Sequence, residues 1–257
     1  MSGGGHALAE SASTGGFETE TFLARKGQAE AVIVIGKASS ASDRFVAEEI
    51  QLHLRKLTHA ILPIVTDDQL PSEKSLIVVG GPEANPLAKA AQQQKLTDFS
   101  GLKPDGYILK TGELAGQPII VIGGNDEAGT MYAAYEFLER LGIVFQITHD
   151  IIPQLKPDLA LPALDVRTEP MAKYRGLAWM PHYSWYQGLE DYRRLIDQMA
   201  KLKLNRMEFV WGMGSPWLEF SYNGVVAELT TTPESGYLAW GRESRSWGKS
   251  PHSTTGT

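Results

Sequence analysis

Trp179, His182, Tyr183, Trp185 and Tyr186 crowd one short stretch of the chain. Aromatic rings offer flat apolar platforms with polar edges, the kind of surface on which the C–H face of a pyranose packs. Further on stand two carboxylates, Glu208 and Glu219, with Trp211, Trp217 and Tyr222 close by. A carboxylate pair is what glycoside hydrolysis needs, one to protonate the leaving oxygen and one as base or nucleophile. Glu208, however, sits inside an alternating strand pattern, where a side chain turned towards surrounding helices explains it more simply. His182 has no second histidine or carboxylate at a metal-ligand spacing, so no metal site is expected. Gly123-Gly-Asn-Asp-Glu-Ala-Gly129 falls between a strand and a helix, where backbone N–H groups can cradle a phosphate. It does not follow G-x-G-x-x-G, and a tight turn with a helix cap accounts for it. Trp247-Gly-Lys-Ser250 resembles the end of a P-loop, but Glu243 occupies the position of the required first glycine.

These side chains need a scaffold, and hydropathy patterning supplies an α/β one. Ala31–Ile35, Leu76–Val79 and Ile119–Ile122 are short β-branched runs closed by glycines, the signature of buried strands. Ile61 to Val65 is a further strand, placed at an edge by Pro63. Tyr107 to Leu109 and Ile143 to Ile147 also read as extended. Val46, Ile50, Leu54 and Leu57 recur at helical spacing, with Ser42 or Asp43 as cap and Phe45 beside the stripe. Pro86 to Gln94 is a short helix. Met131, Tyr135, Leu138 and Leu141 form a stronger one, started near Asp126 and stopped at Gly142. Residues 153–170 hold four prolines and little periodicity, and read as an extended linker. The pattern then restarts as a strand from Tyr174 to Met180, an amphipathic helix through Leu189, Tyr192, Leu195, Ile196, Met199 and Leu202, and a strand from Asn205 to Trp211. Strand, helix and strand with short connections is the unit of parallel sheets and barrels. Residues 1–27 read as a flexible leader, and residues 231–257 are too polar to offset their ordering entropy.

The whole chain has 257 residues, 42% hydrophobic and 21% charged, a balance that permits a core of useful size. The formal charge of −6, without a basic cluster, argues against nucleic acid or an anionic membrane as partner. With no cysteine there is no disulfide, thiolate ligand or thiol nucleophile. No signal peptide is read in this chain, and localisation stays open. No cofactor is expected.

Two stretches carry a family resemblance. Gly129-Thr-Met-Tyr-Ala-Ala-Tyr-Glu-Phe-Leu-Glu-Arg-Leu-Gly142 resembles the helix of the N-terminal domains of family 20 hexosaminidases and family 67 α-glucuronidases, and Ala47-Glu-Glu-Ile-Gln-Leu-His-Leu54 matches an earlier helix of that domain. Tyr174-Arg-Gly176, followed by Ile196-Asp-Gln-Met-Ala-Lys-Leu-Lys-Leu-Asn205, is similar to the first catalytic-barrel strand and helix of these enzymes. The resemblance implies an α/β chain, more closely an α+β accessory domain over 28–152 with a mixed sheet and two main helices. A linker over 153–170 and an incomplete (β/α)₈ TIM-barrel start over 171–230 would follow. It implies a glycosidase substrate, an oligosaccharide or polysaccharide, held by Arg175, Trp179, His182, Trp185 and Trp211. Arg175 would meet sugar hydroxyls, for which the fixed donor fork of a guanidinium is suited. It also places the catalytic acids on later barrel strands, so no catalytic residue is assigned here. Relatives of this kind are often periplasmic or secreted. A non-catalytic carbohydrate-binding or interaction module is the alternative reading, and a nucleotide-binding α/β protein a third.

Overall fold

The computed structural model describes residues 21–72, 74–179, 189–209, 220–222 and 225–227. The chain divides into two compact units, one running to Lys173 and including Gln198–Lys203, the other made of Tyr174–Asp197 and the residues from Leu204 onward.

The first unit begins with β1 (Phe22–Arg25) and β2 (Gln28–Ala29), an antiparallel hairpin. Its turn residues Lys26 and Gly27 both have positive φ, 52° and 72°, as a two-residue turn matched to strand twist requires. Leu23 and Ala24 are completely buried. The expected leader is therefore structured from Phe22 onward, while residues 1–20 lie outside the described residues. Next come β3 (Ala31–Ile35), α1 (Ala41–Thr58), β4 (Ile64–Thr66), β5 (Ser75–Val79), α2 (Pro86–Gln93), β6 (Tyr107–Leu114), β7 (Gln117–Gly124) and α3 (Glu127–Arg140). The small pair β8 (Val144–Phe145) and β9 (Asp150–Ile151) follows, then β10 (Leu159–Ala160) and β11 (Asp165–Thr168).

One mixed sheet, in the order β11-β6-β7-β5-β3-β4, carries the unit. β7, β5, β3 and β4 run parallel to one another, whereas β6 is antiparallel to both β7 and β11. Each strand divides its side chains between two cores, as period-two alternation demands. Ile33, Ile77, Ile120, Ile122 and Leu109 face α1 and α3, while Val34, Val78, Val121 and Ile108 face Ala88, Ala91, Phe99 and Leu102. Burial on both faces explains why these strands read as continuous apolar runs. Each fully buried Ile or Leu contributes roughly 1.5–3 kcal/mol.

Several expectations shift in detail. The N-cap of α1 is Ser40, not Ser42 or Asp43; Asp43 is the third helical residue and completes a reciprocal capping box with Ser40. Phe45 lies on the open side of that helix, 43% exposed, while Val46, Ile50, Leu54 and Leu57 are sealed. The stripe on α3 is wider than its spacing implied, because Tyr132, Ala133 and Phe137 are buried beside Tyr135 and Leu138. That helix packs against both the sheet and α1. β4 starts after Pro63 and is an edge strand, as that proline requires.

The proline-rich stretch is not a free linker. β10 pairs with β1, and β11 forms the outer rung on β6. Its prolines flank the paired residues without occupying them, so no rung is lost. Residues from the far end of the unit thus close both its small sheet and its large one.

In the second unit β12 (Gly176–Trp179) and β13 (Arg206–Phe209) pair in parallel, and α4 (Leu189–Lys201) is the helix between them in the chain. This is the expected βαβ unit, the element from which a barrel is built. β14 (Phe220–Tyr222) and β15 (Val225–Ala227) form an antiparallel pair. The expected polar tail, 231–257, lies outside the described residues.

Candidate functional site

The carboxyl ends of parallel strands are where α/β sheets usually take ligands, at the point where strand order reverses. In the first unit that point lies between β3 and β5, where an asparagine ties the two strands together. Asn85 is completely buried there, and its Nδ2 donates to the carbonyls of Val34 (3.0 Å) and Val79 (2.9 Å). Its Oδ1 accepts from the Leu87 N–H at 3.0 Å, capping α2, whose first residue is Pro86. At Gly36, which follows β3, a Cβ would overlap the Ala84 carbonyl, so the loop after β5 packs directly on the end of β3.

The β7–α3 loop behaves as the turn and cap expected of it. Asp126 accepts from Gly129 N–H through one oxygen and from Asp105 N–H through the other. Gly124 N–H donates to Thr130 Oγ1, and Asn125 N–H to the Gly106 carbonyl. These N–H groups are spent within the protein, which speaks against the phosphate-cradle reading. A cavity of about 450 Å³ does open beside it, lined by Asp43, Glu83, Asp126 and Glu127 among others. Its lining carries no cationic side chain, so it repels phosphate.

A charged cluster that the sequence reading missed lies in the first unit. His53 is completely buried on α1; its Nδ1 donates to the Glu49 carbonyl at 2.8 Å, and its Nε2 lies 3.2 Å from the Asp150 carboxylate. Lys201 Nζ reaches Asp150 at 3.0 Å and Gln198 Nε2 donates to it at 3.1 Å. Burial pushes the Asp150 carboxyl up, but donation from Gln198, Lys201 and His53 outweighs this and holds it below the usual carboxylate range. Beside it Lys203 binds Glu136 at 3.1 Å and also Glu139. Glu136 follows the same logic: burial raises it, while Lys203, Arg140 and Tyr107 together bring it down. Burial, then the neighbouring Glu136, drives the Tyr107 hydroxyl upward. The two motifs that carry the resemblance meet here, since Glu139 belongs to the Phe-Leu-Glu phrase and Lys203 to the Lys-Leu-Asn phrase. The signal was the pair of lysines closing α4 on its apolar stripe. Met199, between them and Gln198, is 5% exposed.

In the second unit Arg175 directly precedes β12 and is half-buried. Its amide donates to Asn205 Oδ1 at 2.9 Å, and its carbonyl accepts from the N–H groups of Asn205 (2.8 Å) and Arg206 (3.0 Å). Glu208 is half-exposed and paired at 2.6 Å with Arg206, whose guanidinium lies 5.1 Å from the centre of the Tyr174 ring. The backbone of Trp179 ends β12, but its side chain lies outside the described residues. His182, Trp185, Trp211 and Glu219 also lie outside them. Among the described residues no group of three or more His, Cys, Asp or Glu could hold a metal ion, and no helix is long and apolar enough to cross a membrane.

The pattern of two helices on one face of a mixed sheet, followed by a parallel βαβ unit, can now be set beside known proteins. Residues 18–137 match the glycosyl hydrolase family 67 N-terminus. The resemblance read from the two motifs therefore stands. Among solved structures the chain is similar to a family 115 4-O-methyl-alpha-glucuronidase described as specific for decorated arabinogalactans. The TM-score there is 0.53 at 19% identity, over 76% of this chain and 26% of that one. It is also similar to a mutant Streptomyces plicatus beta-hexosaminidase in complex with GlcNAc as product, with TM-score 0.49, 16% identity, and 77% and 32% of the two chains covered. A Streptomyces coelicolor family 20 beta-N-acetylhexosaminidase gives TM-score 0.45, 15% identity, and 70% and 30% coverage. The likeness to the glucuronidase shows a shared fold. The chain spans about a quarter to a third of the length of these proteins. No curated protein matches it.

Proposed function

We propose that this chain is the N-terminal part of a glycoside hydrolase that cleaves O-glycosidic bonds in glycans carrying a uronic acid or an N-acetylhexosamine. The observation that carries the reading is the family 67 N-terminal match over 18–137, followed at the expected distance by an arginine at the head of a parallel βαβ unit. In this reading the first unit is the accessory domain and β12, α4 and β13 open the catalytic barrel. Arg175 holds two hydroxyls at the sugar's non-reducing end, and Trp179, His182, Trp185 and Trp211 supply apolar platforms and polar edges around it. The proton donor comes from carboxylates other than Glu208, and no cofactor takes part.

The test is a sugar titration followed at the side-chain Nε resonance of Arg175. Methyl glucuronide or N-acetylglucosamine should shift it together with the neighbouring backbone amides, and Arg175→Ala should abolish the sugar-induced shifts of those amides. ATP and NAD should produce no shift anywhere. A nucleotide response, or indifference to both sugars, defeats the reading.

A further inference from the structure

Both backbone polar groups of Arg175 address the same neighbour. The amide meets the Asn205 side chain and the carbonyl meets the Asn205 amide, with Arg206 N–H as a second donor. A carboxamide oxygen thus stands where the neighbouring strand of a regular ladder would present a backbone carbonyl. The next rung pairs Gly176 with Arg206, and a Cβ at Gly176 would overlap the Arg206 carbonyl. Glycine lets the strands close here, and Asn205 ties the residue just before. Held at its amide and its carbonyl, Arg175 has little freedom in φ and ψ, and these angles set the direction of its Cα–Cβ bond.

We propose that Asn205 is a positioning residue, which aims the Arg175 side chain and so sets its affinity for paired sugar hydroxyls. This rests on the reading of Arg175 as a sugar contact. A two-oxygen grip by a planar guanidinium is demanding in direction, with a tolerance on the order of 10–20°. The tie needs a short planar acceptor on a residue whose own N–H also donates. Aspartate preserves both features. Glutamine adds a methylene and misplaces the oxygen, and leucine removes the acceptor.

The experiment uses the whole chain and reads two quantities by NMR: hydrogen exchange of the Arg175 amide, and the sugar affinity sensed at its Nε with methyl glucuronide and N-acetylglucosamine as probes. Asn205→Leu should accelerate the exchange about tenfold and weaken the sugar about tenfold, the scale of one lost hydrogen bond. Asn205→Gln should do the same more mildly, and Asn205→Asp should restore both. Unchanged exchange in Asn205→Leu and Asn205→Gln overturns the tie. Faster exchange at unchanged affinity overturns the aiming role and leaves Arg175 as a sugar contact. If no sugar shifts the Nε resonance in the unaltered chain, the reading of Arg175 fails, and the aiming role with it. The exchange data then show separately whether the tie exists.

Discussion

Two pairs of parallel strands in this molecule are each secured by an asparagine, at opposite ends. Asn85 ties the carboxyl ends of β3 and β5, donating to a carbonyl of each from a completely buried position. Asn205 ties the start of β12 to the start of β13 from an exposed position. Carboxyl ends are where parallel sheets bind ligands, so the first tie lies on the ligand-binding edge of its sheet and the second on the opposite edge. The first tie is sealed inside a core, while the second lies open to solvent. Fold class alone would not have separated the two.

The sharpest way to break this contrast is to remove each amide. Asn85→Ala should cost about 3 kcal/mol, because two buried carbonyls lose their donor and α2 loses its cap. Asn205→Ala should cost under about 1 kcal/mol, because water replaces the lost partner at an exposed site. Denaturant melts of both variants decide, and equal losses would erase the distinction.

Next in size is the charged cluster of the first unit. Lys201 is 7% exposed and Asp150 12%, so Lys201→Met should cost about 2 kcal/mol by leaving a largely buried carboxylate short of its cation. Pairing it with Asp150→Asn in a double-mutant cycle should recover part of that loss. A strictly additive cycle would show that the two side chains do not act on one another.

Acid should act through the same carboxylate. The Asp150 pKa is depressed in the folded chain, so its contribution is complete above the unfolded carboxylate range near pH 4 and is lost as pH falls through the lower folded value. Melts across this window should show stability dropping on acidification, and Asp150→Asn should flatten the curve. An unchanged curve would remove Asp150 from the account.

The smallest effect is expected on the open part of α4. Arg193→Ala removes an exposed pair with Glu190 and should change stability by less than about 0.5 kcal/mol. Trypsin should cut after Arg193 and Arg194 well before Lys201. Equal cleavage rates would show that the cluster does not hold Lys201.

How far the fold was legible depends on the range of the contacts. β3, β5 and β7 could be read because both their faces are buried by the chain's own helices, which leaves uninterrupted apolar runs. α1 and α3 were visible through spacing, though the capping box at Ser40 and the second buried face of α3 depend on geometry. β1, β10 and β11 were read as leader and linker because each is short and is a strand only by pairing with a distant segment. At the site, Arg175 was singled out through its Arg-Gly phrase, but nothing in the spacing joined it to Asn205. Asn85 was hidden as an ordinary residue before a proline.

The sequence by itself determined the alternation of strand and helix, the absence of thiol chemistry and the two motifs of the resemblance. These are local properties, set by side-chain period and residue type. Only the tertiary structure decided that the Phe-Leu-Glu and Lys-Leu-Asn motifs share an ion pair, and that one asparagine ties β3 to β5 while another ties the backbone of Arg175 to the start of β13. Such pairings join segments far apart in the chain, where neither partner's neighbours in sequence record the other.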